Sequence, residues 1–596
     1  MKNNKMIRSL TPAIHDKLTE FVTSAPNKAS VLLLWLGLTF LSIGLRAQNT
    51  ADSTAVSTEV VDIVKSYTPS INLRPKSKWN LSDSERELTP RPEFNYSHEV
   101  LGFYPTDLPA VLSATNLEKQ ETKKYLSNYI RVMMGTRASA GVEGFLAHEI
   151  NRDNYLSAAL EHQQINGPID GVALPADWAE TGLRTQWRSK LMDRTATLGL
   201  SLRPSAVQWY GVPDTMNLDT YLLSDFGQIY HRGTLSHRLG SNGSWFSGLD
   251  SELSLFSDQF GVTEWNFSSA PRVELLWDKR QISIDGRFSL LSTKFSLDDD
   301  LITTEDYTAV NADLGAQADL ALGDLKVNFG ASVWAHNAGE ESTLRLFPKL
   351  GLNYPILTGI LNAYFDFDGQ YNQYQTSTLT QNHAFLAPGQ RLKPNIDRQI
   401  VRLGFNGALN DLWQYSLGLE YRNFDDQAYF TRRPWSGQQG TFAYDNGNSY
   451  TIFYDDGSEL KYSAKINGRL SERWDIALDA AVIDNRPANG DEAWNIPAFS
   501  FGGSGSYHIN DQLLLTGRFV SYGSRVDQLN LADAVSTQNV DGFIDAQLHF
   551  NYAITKNFSA SLSGINLLNQ SNGLWVNYPV QGLRVNLGLQ YNFAAF

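Results

Sequence analysis

Cysteine is absent from all 596 residues. That excludes disulfides, thiolate metal sites and a lipid-modified N-terminal Cys. After residue 50 no run is apolar enough for a membrane-spanning helix. Positive charge is scarce: 49 Lys and Arg stand against 63 Asp and Glu, a net charge of −14. A nucleic-acid binder needs a concentrated basic face, and no basic block occurs, so nucleic acid is excluded as a partner. The ten His are scattered without an HExxH pair. No GxGxxG or GxxxxGK[ST] is present. GGSGS at 502–506 misses the nucleophile elbow because Ser506 replaces the final Gly. Beside Tyr507 it reads as a thin stretch of wall packed against aromatics. These absences predict no enzyme, no catalytic, metal or cofactor residues, and no cofactor.

What is present begins with an address. Lys2, Lys5, Arg8, Lys17 and Lys28 precede the apolar run VLLLWLGLTFLSIGL at 31–45, followed by RAQNT. The run has the length of a signal-peptide core and is short for a spanning helix. It predicts a Sec-type export signal, residues 1–47, cleaved after Ala47. Its removal takes away six basic and two acidic residues, leaving 43 against 61 and a charge of −18. Residues 48–125 are rich in Pro, Ser and charge, as in SYTPSINLRPKSKWNLSDSERELTPRPEF. Proline removes backbone donors, so an extended, mostly irregular segment is expected there. A weakly helical piece, NLEKQETKKYLSNY, leads out of it.

From residue 126 to 596 the pattern is two-residue alternation. In FIDAQLHFNYAI, Ile544, Ala546, Leu548, Phe550, Tyr552 and Ile554 share one face, and Asp545, Gln547, His549 and Asn551 the other. Leu460–Leu470, Val310–Leu320 and the closing GLRVNLGLQYNF behave alike. Such runs are half-buried strands. The connections sort by parity. After even-numbered strands they are short: MDR at 192, SNGS at 241, DKR at 278, LGD at 322, ILTG at 356, NDL at 410, SER at 471, ND at 510 and TKN at 555. After most odd-numbered strands they are long: from 167, from 203 to about 225, from 371 to about 397, and at roughly 425–455, 484–496 and 522–538. A membrane barrel with short periplasmic turns and long outside loops sorts its connections in this way. The expected fold is therefore all-β: a transmembrane antiparallel β-barrel of about 22 strands, within about 18 to 24. Its greasy face meets outer-membrane lipid, because a closed barrel satisfies every backbone group internally.

The stretch SLSGINLLNQSNGLWVNYPVQGLRVNLGLQYNF resembles the last hairpin of TonB-dependent receptors. Asn566, Leu567, Leu568 and Asn569 hold its first part, and Gly582, Leu583 and Arg584 its second, with Leu inserted between Gly and Arg. Those receptors have 22 strands. The Ala47-Gln48 junction and EVVDIVKSYTPSI resemble a Bacteroidota family of outer-membrane barrels labelled TonB-dependent-receptor-like. Two features depart from the pattern. AAF follows Phe593, and the 78 residues of 48–125 are too few for the folded plug domain such receptors carry. A barrel this wide needs filling by the N-terminal segment, by inward-folding loops or by another protein.

Alternation turns Arg184, Arg188, Lys190, Arg402, Lys461, Lys465, Arg469 and Arg584 inward. Asp285, Asp313, Asp319, Asp366, Asp368 and Asp545 turn inward with them. They read as a mixed-charge lumen or as a substrate path. Aromatics crowd the predicted outer loops: Trp209, Tyr210, Tyr371, Tyr374, Phe385, Phe430, Trp435, Tyr444, Tyr450, Phe453, Tyr454 and Trp575. Ligand capture, an interfacial girdle and partner contact all suit them. The acidic stretches SLDDDLITTED and YDNGNSYTIFYDDGSE lack the ligand spacing of a calcium loop and read as solvated loops. Three functions remain open: TonB-dependent-receptor-like transport across the bacterial outer membrane, a plugless structural subunit of a larger outer-membrane assembly or secretion complex, and a passive porin. Residues 48–125 and the long outside loops are the expected contacts for periplasmic or outer-membrane protein partners. Within them AVSTEVVDIVKSYTPS, residues 55–70, suits strand addition. The substrate-binding residues are unknown.

Overall fold

A computed structural model describes residues 128–213, 226–241, 245–277, 280–296, 305–433, 440–489, 492–531, 534–571 and 573–594. The expectations for the signal peptide, the irregular segment and the strand-addition motif at 55–70 lie outside these residues.

Asn128–Gly135, the first strand, pairs antiparallel with Arg584–Phe593, the last, so the sheet closes on itself. Every neighbouring pair in the wall is antiparallel, and the wall has 22 positions. One position is split into Arg194–Leu202 and Ser205–Gln208. Pro204, which has no N–H, sits in the gap, while its carbonyl still accepts from the Thr181 amide at 3.0 Å. The chain was expected to leave the wall at Arg203. It resumes pairing for four residues instead.

No inner connection exceeds four residues, and each of the nine short turns expected from sequence lies at that end. The other end carries the long connections, although three there are also tight, at 136–138, 259–261 and 339–340. Several strands run further outward than the alternation suggested. Trp413–Arg432 has 20 residues and Tyr450–Ser471 has 22, about twice what a membrane crossing needs. These extensions absorb much of the loop expected at 425–455. The loop expected at 522–538 contains its own hairpin, Arg525–Leu531 paired with Ala534–Val540.

Register explains the alternation. Leu587 faces Leu562, and Leu589 faces Ala560, across one pair of strands. Leu583, Val585, Leu587, Leu589 and Tyr591 are exposed, with Leu589 at 65%. Comparable exposed Leu, Phe and Val recur around the outside, as in Leu344, Leu346, Phe405, Leu417 and Val482. An exposed apolar belt of this kind is what a transmembrane barrel presents outward. Gly503 lies in it with Phe519 over it, as the thin-wall reading of GGSGS expected: a Cβ there would sit 2.5 Å from the Phe519 ring.

Candidate functional site: loops joined across the outer mouth

The inward charges stand on the face opposite the belt. Arg402 ties Asp368 at 3.2 Å and Glu420 at 2.6 Å. Arg422 bridges Asp397 and Glu459, each at 3.3 Å. Arg272 meets Asp285 at 2.8 Å, and Arg469 meets Asp475 at 3.2 Å. Some opposite charges thus pair along the lumen wall, while Arg184, Arg188, Lys190, Lys461, Lys465 and Arg584 have no ion pair among the described residues.

A long inward excursion spans 374–393. It leaves strand Leu361–Gln373, forms the helix α1, Thr376–Asn382, and returns through Pro394–Asn410. The residue before α1, Gln375, gives no side-chain cap. The wall supplies one. Glu264, 4% exposed, accepts from the Thr376 amide at 3.1 Å, the Thr376 hydroxyl at 2.7 Å and the Thr293 hydroxyl at 3.3 Å. This satisfies the orphan donors of the first turn. Arg232 donates to the Ser377 carbonyl at 3.1 Å and to Thr380 Oγ1 at 2.8 Å, while its guanidinium lies over the Tyr230 ring. Tyr230 donates to the Ala384 carbonyl at 2.8 Å. Leu379, Leu386 and Leu392 pack with Leu291, Tyr307 and Ala309 of the wall. The segment is fastened inside the barrel, not draped outside it.

Its far end meets loops from elsewhere on the rim. Tyr210 leaves the wall between the fifth and sixth positions, Phe385 between the thirteenth and fourteenth, and Tyr578 between the twenty-first and twenty-second. These points divide the circumference into rough thirds. Their three rings nevertheless touch. Phe385 stacks on Tyr578 at 3.5 Å and 14°, Tyr210 meets Tyr578 edge-on at 4.9 Å, and Tyr210 meets Phe385 at 6.0 Å. Tyr210 also donates to the Pro579 carbonyl at 2.9 Å. Gly211 makes room, since a Cβ there would lie 2.3 Å from the Tyr578 ring.

Tyr450 ties further loops to this junction. Its amide donates to the Phe385 carbonyl at 3.0 Å and its carbonyl accepts from Ala387 at 2.8 Å. Its hydroxyl donates to Asp527 at 2.8 Å and accepts from the Val576 amide at 3.1 Å. Asn495 donates to both Asp527, at 2.8 Å, and the Phe430 carbonyl, at 2.9 Å. His383, 1% exposed, lies flat on Trp575 at 3.5 Å and 8°. Burial holds the His383 imidazole well below its ordinary value and raises the Asp527 carboxyl above its own.

The outer aromatics therefore have a use that the sequence did not suggest: they pack on one another. Trp209, Tyr371, Tyr444 and Tyr450 are buried, and Trp435 lies outside the described residues. The reading of YDNGNSYTIFYDDGSE as a solvated loop is corrected. Tyr444, Asn446, Asn448 and Ser449 are buried, and strand pairing starts at Tyr450. Asn448 donates to the Trp209 and Ala443 carbonyls, each at 2.8 Å, so its amide serves the loop core. SLDDDLITTED falls largely outside the described residues. Among the described residues no group of three or more acidic or His side chains could hold a metal ion.

No family model matches the sequence, nor does any curated protein. Solved structures do match in fold. The siderophore receptor PirA from Acinetobacter baumannii aligns with a TM-score of 0.60 at 11% identity, covering 78% of this chain and 80% of that one. The ferric enterobactin receptor PfeA of Pseudomonas aeruginosa, in complex with enterobactin, aligns at 0.59 and 11%, covering 78% and 81%. The FpvAI–pyocin S2 complex aligns at 0.58 and 12%, covering 78% and 73%. At such identities the likeness is one of architecture.

Proposed function

We propose that the chain is an integral bacterial outer-membrane protein of receptor-like transport, whose outer mouth is closed by its own loops. Its neighbours in fold are receptors, which supports a transport reading over an enzymatic one. The carrying observation is the meeting of Tyr210, Phe385 and Tyr578 from three thirds of the rim. A passive porin needs an unobstructed outer mouth, whereas here loops cross it. Release of the junction then becomes the regulated step. In this proposal residues 1–47 direct Sec export, and 48–125 form the periplasmic segment of a Bacteroidota-type, TonB-linked barrel. Residues 55–70 supply the contact strand for a periplasmic partner, so deleting them abolishes uptake or complex formation.

The test is conductance in a planar bilayer. The intact barrel should pass little current. A variant with residues 376–392 replaced by a short Gly-Ser link should show large, steady openings. Equal, high conductance from both would establish the passive pore instead. Isolation in mild detergent settles the remaining alternative: a stoichiometric barrel or periplasmic partner would place the chain in a larger assembly.

A further inference from the structure

Near the inner end, the lumen wall carries a recess of about 1010 Å³, well away from the loop junction. Its volume is that of small-ligand pockets. Tyr364 is one of its lining residues. The residue pairs with Gly404, which in turn pairs with Gly418, on the lumen side. A Cβ at Gly404 would come within 2.7 Å of the Tyr364 hydroxyl, and one at Gly418 within 2.9 Å. The two glycines thus let the ring lie along the wall with a face toward the lumen.

Around this platform are polar groups that the wall does not consume. Asp366 shares the recess and has no hydrogen bond or ion pair among the described residues, because the neighbouring Arg402 is committed to Asp368 and Glu420. Asn353 and Ser416 add an amide and a hydroxyl. The charged groups Arg280, Asp319 and Lys326 are exposed residues near the inner ends of their strands, and Asp319 is already held by Asn328 at 2.7 Å. Beside Tyr364 the recess therefore offers an aromatic face, a carboxylate, an amide and a hydroxyl, while Arg280 and Lys326 line its exposed inner margin. A polyhydroxylated neutral solute fits: its apolar ring face stacks on Tyr364, and vicinal hydroxyls donate to Asp366.

We infer that the Tyr364–Asp366 recess is a binding station for neutral polyhydroxylated solutes, of the size of a mono- or disaccharide. This rests on the transport reading for its purpose, but it is tested by binding and not by passage. A barrel that binds without conducting would separate the two. The full-length barrel, in a detergent without sugar headgroups, is titrated with cellobiose and, separately, with the zwitterionic dipeptide Ala-Ala. Cellobiose should bind saturably and more tightly than the dipeptide. Tyr364→Ala should weaken it about tenfold, and Tyr364→Phe should retain it. Asp366→Asn should also weaken it, with heat-modifiable gel migration unchanged. Preference for the dipeptide, lack of saturable cellobiose binding, or full binding by both Tyr364→Ala and Asp366→Asn would overturn the inference. If Tyr364→Ala does not fold, the Asp366→Asn titration decides alone.

Discussion

Single side chains at the loop junction have roles that can be separated. His383 is packed neutral between rings, and burial depresses its affinity for protons. A freed His383 would take up a proton near its ordinary 6.5. Acidification below that value therefore favours the open loop. Asp527 acts with the opposite sign. Its carboxyl is raised by burial, so the packed state gains as the proton arrives. His383→Phe removes only the first effect. Between about pH 7 and pH 5, wild-type amide protection at 376–392 should fall relative to that of His383→Phe, as hydrogen exchange would show. Gly211 gives a second residue-scale expectation. A methyl there meets the Tyr578 ring at 2.3 Å. Gly211→Ala should cost about 1–3 kcal/mol of local stability and raise the rate of brief openings in single-channel records.

Elements tell how much could be read in advance. The wall was legible because lipid outside and polar lumen inside impose a period of two on every strand, as Leu587, Leu589 and Tyr591 show against Asn586, Gly588 and Gln590. The short inner turns were legible for the same reason, since each interrupts the alternation. The outer ends were not. Beyond the membrane the outward face no longer has to be apolar, so Tyr450–Asp456 continues a strand without the pattern that announces one. The helix α1 escaped notice too, because its cap comes from Glu264, more than a hundred residues away, and not from its own flank. Glu264→Ala should leave the Thr376 donors unsatisfied and cost about 1–3 kcal/mol, read as faster proteolysis within 374–393 of the membrane-inserted barrel. On the wall itself, Leu589→Arg on the lipid face should cost about 2–4 kcal/mol in vesicle unfolding if the residue lies near the midplane. Gln317→Lys on the lumen face should cost much less.

For the whole molecule, fold and closure have different origins. The barrel follows from local alternation and from the parity of its connections. Closure depends on contacts such as Tyr210 to Pro579, separated by 369 residues. No period or spacing encodes such a pair, so the aromatic excess in the outer loops was visible while its use was not. The lumen charges fall between these cases: their direction followed from parity, but their pairing, as in Arg402 with both Asp368 and Glu420, required the register. The proposed function thus rests on a barrel wall with an outer seal assembled from its own loops. Cross-linking in intact outer membranes tests this most directly, and the absence of native Cys makes the background clean. Phe385→Cys and Tyr578→Cys are introduced together and treated with a short bis-maleimide. A closed mouth predicts a dominant cross-linked peptide joining positions 385 and 578. Two separately labelled cysteines, with no such peptide in a folded barrel, would contradict it.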